Sequence, residues 1–80
     1  MDTPLGRLLQ FLDGLDAARL SYDLKHVRDS LLVLVSVPQG YCEVEFFTNG
    51  TVEAEWFPRG AAAEAVDDEW LGAFIADHSR

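Results

Sequence analysis

Between Tyr41 and Phe57 the chain runs YCEVEFFTNGTVEAEWF, two alternating stretches around Asn49-Gly50. An Asn-Gly step between alternating runs is a strong short-range signal for a β-hairpin, because both residues tolerate the positive φ that tight turns demand. The alternation also restricts how the turn is made. Cys42, Val44 and Phe46 share one face of the first strand, and Val52, Ala54 and Trp56 share one face of the second. A tight Asn-Gly loop alone pairs Phe46 with Glu53, setting an apolar face against an acidic one. A loop of Thr48, Asn49 and Gly50, with Gly50 left-handed, instead pairs Phe46 with Val52, Val44 with Ala54 and Cys42 with Trp56. The longer loop is the one expected. It places Glu43 opposite Glu55 and Glu45 opposite Glu53 on the reverse face.

The preceding residues extend this sheet. Tyr22, Leu24 and His26 alternate with Asp23, Lys25 and Val27, and Arg28-Asp29-Ser30 follows as a polar turn. Leu31 to Val37 is a valine-rich apolar run suited to a central strand. Pro38-Gln39-Gly40 then turns the chain. Pairing Val37 with Cys42 brings Val35 to Val44 and Val33 to Phe46, while His26 faces Leu31, Leu24 faces Val33 and Tyr22 faces Val35. The reverse face is then expected to show the rows Lys25–Leu32–Phe47–Thr51, Asp23–Leu34–Glu45–Glu53 and Ser21–Ser36–Glu43–Glu55. That is an acidic face with an exposed apolar strip, Leu32, Leu34 and Phe47, at one end.

Helical signals lie outside the sheet. Thr3 is placed to cap a helix whose first residue is Pro4, where the missing N–H costs nothing. Leu5, Leu8, Leu9, Leu12 and Leu15 recur at helical spacing, and the helix is expected to end near Ala18 or Arg19. After Pro58-Arg59-Gly60, the stretch Ala61 to Ala65 suggests a loose helical turn. Asp67 is the expected N-cap of a last helix, with Val66 stapling onto Leu71 and Asp68 and Glu69 in its first turn. Trp70, Leu71, Phe74 and Ile75 share its apolar face. The expected fold is α+β, ordered α-β-β-β-β-α, with a four-stranded antiparallel meander and both helices on one face. Residues 1–80 form a single domain, with Trp56, Phe46, Val44, Leu12 and Phe74 in its core.

Charge narrows the partners. Fourteen acidic residues against six basic ones give a net charge of −8. Such a surface repels nucleic-acid phosphates and anionic membranes, and its natural complement is a basic protein or a cation, unless the charge serves solubility alone. A lone cysteine makes no internal disulfide. No signal-peptide pattern opens the chain and no apolar run is long enough for a bilayer, so a cytoplasmic location is expected.

Catalytic chemistry finds no foothold. The chain has no CxxC, HxxxH, GxSxG or phosphate-binding glycine loop, so no catalytic residue, metal ligand or cofactor is expected. Cys42 and His26 lie at opposite ends of the expected sheet with a strand between them, too far apart for a dyad. Opposed glutamates about 5 Å apart resemble the spacing of a retaining glycosidase, but that reaction needs a cleft and one desolvated acid. Two readings of Glu43, Glu45, Glu53 and Glu55 remain. They form a solvated face whose charge resists aggregation, or they dock a basic protein, with Leu32, Leu34 and Phe47 as apolar contacts. An alternative is a homo-oligomeric structural or regulatory domain, a weak homodimer using this same face. A metal-assisted hydrolase is a distant third.

The run YDLKHVRDSLLVLVSVPQGYCEVEFFTNGTVEAEWF, residues 22–57, is similar to a pattern in small acidic bacterial proteins. In these a leucine-rich helix precedes a sheet of the form VRD…V-V-VP-G…EVEFF-G-VE-E-F. The chain thereby resembles immunity-type proteins encoded beside bacterial toxins. Cys42 stands where that pattern has an aromatic residue, and the final helix is not matched. The resemblance implies a toxin-neutralising role by direct contact with a basic toxin, and it carries no agreed site.

Overall fold

The alternating segments form one antiparallel sheet in the computed structural model, which describes residues 3–80. Its elements are α1 (Pro4–Ala17), β1 (Asp23–Val27), β2 (Ser30–Val37), β3 (Gly40–Phe47), β4 (Val52–Pro58), β5 (Glu64–Val66) and α2 (Asp68–Asp77). The strands lie in chain order as a five-stranded meander. The α+β class holds, while the order is α-β-β-β-β-β-α.

The extra strand corrects the helical turn expected over Ala61 to Ala65. Pro58 and Gly60 (φ +76) reverse the chain, and β5 returns antiparallel along β4 with Ala54 opposite Val66 and Trp56 opposite Glu64. Alanine's helix propensity is a weak local preference, worth a fraction of a kcal/mol per residue. Against it stands the row of unpaired N–H and C=O groups that β4 would otherwise expose.

The β3–β4 hairpin is built as its alternation demands. Phe46 pairs with Val52, Val44 with Ala54, Cys42 with Trp56, Glu43 with Glu55 and Glu45 with Glu53. Gly50 is left-handed (φ +92), its N–H bonds the Phe47 carbonyl at 3.0 Å, and the Asn49 side chain accepts from Thr51 N–H at 2.9 Å. β1 and β2 also pair as expected, with His26 opposite Leu31 and Leu24 opposite Val33.

The β2–β3 register differs. Val37 pairs with Gly40, Val35 with Cys42, Val33 with Val44 and Leu31 with Phe46. The chain turns through Pro38-Gln39 alone, and Gly40 already belongs to β3. Gly40 adopts φ +154 and lies against β4 so closely that a Cβ there would collide with the Phe57 carbonyl oxygen and come within 3.0 Å of Pro58 Cα. A slip of two residues keeps every side chain on its face. It therefore leaves the apolar side intact and re-sorts the reverse side.

Both helices cover the apolar side. Thr3 Oγ1 accepts from Gly6 N–H and Asp67 Oδ1 from Trp70 N–H, each at 2.9 Å, so both caps are made. α1 ends with Arg19 left-handed (φ 60), and Leu20 N–H reaches back to the Leu15 carbonyl at 2.9 Å. Phe11 of α1 meets Phe46 at 5.6 Å between ring centroids, and Arg7 Nη1 donates to the Gly50 carbonyl at 3.0 Å. On α2, Trp70 and Phe74 stack at 5.1 Å, and each meets Trp56 of β4 (5.5 and 5.6 Å). Leu8, Leu15, Val33, Val35, Cys42, Val44, Phe46, Leu71 and Phe74 are buried, whereas Leu12 and Trp56 are only partly so.

Candidate functional site

With both helices on one side, the other side of the sheet is left open to solvent. Its rows follow from the observed register: Lys25–Leu32–Glu45–Glu53, then Asp23–Leu34–Glu43–Glu55–Ala65, then Ser36–Tyr41–Phe57. Ser30 stands opposite Phe47 at the far end. The expected rows had placed Phe47 beside Leu32 and Glu45 beside Leu34. Both pairings move because the tight Pro38-Gln39 turn slides β3 along β2.

The four glutamates come together as two opposed pairs in adjacent rows. Glu53 and Glu55 are exposed, while Glu43 and Glu45 are half-buried. They line a hollow of about 380 Å³ with Leu32, Val52, Ala54, Ala65 and Val66. The face is thus recessed rather than flat, as a twisted sheet with a fifth strand at its edge becomes. No lysine or arginine is among the residues lining that hollow.

Glu45 is held in place. The Ser30 hydroxyl lies 2.6 Å from Glu45 Oε2 and 2.9 Å from the Val27 carbonyl, so its one proton serves either acceptor. Ser30 is the one buried polar residue of the described chain. The shifted register makes this contact possible: Ser30 opposite Phe47 is diagonal to Glu45 on the same face.

The apolar strip is altered as well. Leu32, Leu34 and Phe47 are half-buried, not exposed as expected, since their neighbours on the rows cover part of each. Tyr41 and Phe57 instead supply an aromatic surface at the other end. They face each other across β3–β4 and stack at 4.7 Å with 9° between the rings. The expected hairpin register, with Cys42 opposite Trp56 and Glu43 opposite Glu55, already sets Tyr41 opposite Phe57. Sequence reasoning rested on the acidic rows and did not take up this pair.

Elsewhere the side chains that could carry chemistry are occupied. Cys42 is buried in the core, and its thiol is pushed up from 9.0 to about 12 by loss of solvent and, less, by the Glu43 charge. His26 Nε2 donates to the Arg28 carbonyl at 2.7 Å, on the far side of β2 from Cys42. His78 Nδ1 donates to the Phe74 carbonyl at 2.9 Å, at the end of α2. Among the described residues no group of three or more His, Cys, Asp and Glu could hold a metal ion. A second, mainly apolar hollow of about 530 Å³ lies between the start of α1 and the β1–β2 turn, with Leu5, Leu8, Leu31 and Phe46 in its wall. Among the described residues no helix is long and apolar enough to cross a membrane.

Comparison of the chain with protein-family models, curated proteins and solved structures gives no match.

Proposed function

We propose that this protein is a non-enzymatic interaction module whose open sheet face docks a basic protein. The observation that carries this reading is the hollow around Glu43, Glu45, Glu53 and Glu55, lined by carboxylates and, among the described residues, by no lysine or arginine. Like charges set directly opposite one another cost a sheet stability, and Thr or Lys at these positions would avoid that cost. A partner's arginine or lysine relieves the repulsion. Leu32 and Leu34 offer apolar contact beside the acids, and the exposed Tyr41 of the Tyr41–Phe57 stack offers an aromatic ring face to a guanidinium. The immunity-type resemblance of residues 22–57 makes a basic bacterial toxin the concrete candidate, and the compartment in keeping with that role is the cytoplasm. The alternative of a homo-oligomer formed through this face has less support, because two copies would bring eight carboxylates together.

An arginine-rich peptide titrated into labelled protein tests the reading. Backbone resonances of Glu43, Glu45, Glu53, Glu55 and Tyr41 should shift together, and the quadruple Glu→Gln variant should lose the response. Shifts spread evenly over the Asp67–Glu69 helix start and the sheet would reduce the effect to net charge and defeat the proposal. The products of neighbouring genes supply the physiological test: a basic toxin among them should be neutralised by the parent and not by the quadruple variant.

A further inference from the structure

The acidic face is not the only surface left without a cover. β1 is an edge strand exposed at every residue, and among the described residues no strand pairs with its outer side. Antiparallel parity decides which backbone groups point outward. Val27 and Ser30 close a two-residue turn and so form a hydrogen-bonded pair, as do Lys25 with Leu32 and Asp23 with Leu34. Leu24 and His26 therefore direct their N–H and C=O groups to the free edge, and Tyr22 continues the alternation.

α1 supplies the flank of this edge. Its two margins are identified by their contacts. Arg7 and Phe11 reach the Gly50 carbonyl and Phe46, so that margin faces β3 and β4. The other margin, with Leu5 and Leu9, lies toward β1; Leu5 shares a hollow with His26. Leu5 is 62% exposed, Leu9 51% and Leu24 51%, the three most exposed large apolar side chains of the described residues. Leu5, which shares a hollow with His26 of β1, and the exposed Leu24 thus leave apolar surface beside the β1 edge.

We infer that two copies of this chain join across a two-fold axis at Leu24, β1 pairing antiparallel with β1 to give one continuous sheet. The sequence of the strand selects this register. With Leu24 opposite Leu24, Tyr22 faces His26 of the second copy, and all the outward backbone groups are matched. On the reverse face Asp23 then stands opposite Lys25 of the second copy, twice. Sliding one repeat either way sets Asp23 against Asp23 or Lys25 against Lys25, and like charges directly opposite are unfavourable. A slip of a single residue mismatches the backbone groups. Leu5 and Leu9 of each copy close over the junction on the helix side. The dimer turns both acidic hollows to the same side of the joined sheet, away from the seam, so it leaves the proposed docking face open.

Sedimentation from micromolar to millimolar protein tests the dimer, with Asp23 and Lys25 as the diagnostic pair. Both are exposed, so their variants should keep the parent's circular dichroism. Asp23→Lys and Lys25→Asp should each weaken dimerisation by about tenfold or more, equivalent to about 1.4 kcal/mol. The charge-swapped double variant should recover it. In the parent, exchange of the Leu24 and His26 amides should slow as concentration rises, a readout that needs no variant. A monomer at every concentration, or a dimer indifferent to Asp23→Lys, overturns the inference. So does a dimer dissolved by Leu34→Lys, which would place the contact on the acidic face.

Discussion

Gly40 shows how one residue sets the register of a sheet. Its sequence neighbours, Pro38 and Gln39, announce a turn, but nothing in them reports how closely β4 approaches. The cost of a Cβ at Gly40 combines a collision with the Phe57 carbonyl and a φ of +154. Overpacking costs about 1–3 kcal/mol and a left-handed L-residue about 1–2, so Gly40→Ala should lose about 3 kcal/mol. Gly60, at φ +76 with nothing within 4 Å of the place a methyl would take, isolates the backbone term, and Gly60→Ala should lose only about 1 kcal/mol. Urea midpoints of the two variants should separate accordingly; equal losses would mean the close approach to β4 is not rigid. Cys42 makes a second residue-scale case. Its thiol is buried neutral, with a folded value of about 12 above the ordinary 9.0, so its contribution is complete below pH 9.0 and lost as pH rises toward 12. Thiol reagents should leave Cys42 unmodified at neutral pH until the chain unfolds. Tyr22 is also raised above its ordinary 10.0, by loss of solvent and by the neighbouring Asp16. Cys42→Ala therefore isolates the thiol: its stability should fall less steeply than the parent's above pH 9.0, and parallel curves would show that Cys42 is not sealed from solvent.

At the scale of elements, α2 depends on aromatic contact. Its apolar face rests on β4 through Trp56, Trp70 and Phe74, and Phe74 also packs on His78 at 4.6 Å. Phe74→Ala should cost about 3–5 kcal/mol, a large part of the roughly 5–15 kcal/mol typical of a domain. A midpoint shift worth under about 1 kcal/mol would show that the aromatic cluster is not what holds α2. Both helices are legible in the sequence because Thr3-Pro4 and Asp67 are strong caps and the apolar spacing is helical. The β3–β4 hairpin is legible because only one loop length keeps apolar residues opposite apolar ones. β5 is not, since Glu64, Ala65 and Val66 carry no strand signal of their own and gain their conformation from the edge of β4. The β2–β3 register is hidden for a related reason. Shifts of two residues preserve the faces, so alternation cannot choose between them. The observed register needs a turn of Pro38-Gln39 alone, which leaves Gly40 paired with Val37 in a conformation (φ +154) and a close approach to β4 that a side chain would not tolerate.

For the whole molecule, the acidic face is half visible from the sequence. The opposed pairs Glu43–Glu55 and Glu45–Glu53 depend only on the hairpin, whose register follows from its own pattern. The Tyr41–Phe57 pair follows from that same register; the recess around the acids and the Ser30 contact depend on β5 and on the β2–β3 register, and leave no trace in the alternation. These details separate the glutamates from one another. Glu53 and Glu55 are exposed, with a carboxylate opposite and no hydrogen bond from Ser30, so Gln at either position removes repulsion and should raise stability by a few tenths of a kcal/mol. Glu45→Gln removes the same repulsion but also weakens the 2.6 Å bond from Ser30, since a charged acceptor holds a hydroxyl more strongly than an amide does. It should be neutral or slightly destabilising. Salt screens the repulsion between exposed acids, so the gain from Glu53→Gln should shrink as salt rises while the Ser30 effect at Glu45 persists. Binding should rank the variants differently from stability. Against a basic partner, every Glu→Gln change removes attraction, and association should slow most at low salt. Glu53→Gln would then be more stable than the parent and slower to bind, a combination that net charge kept only for solubility does not produce. Urea unfolding and association rates measured over the same salt series decide the matter. If Glu53→Gln binds the partner as fast as the parent at low salt, the opposed carboxylates serve no docking role and the proposed function fails.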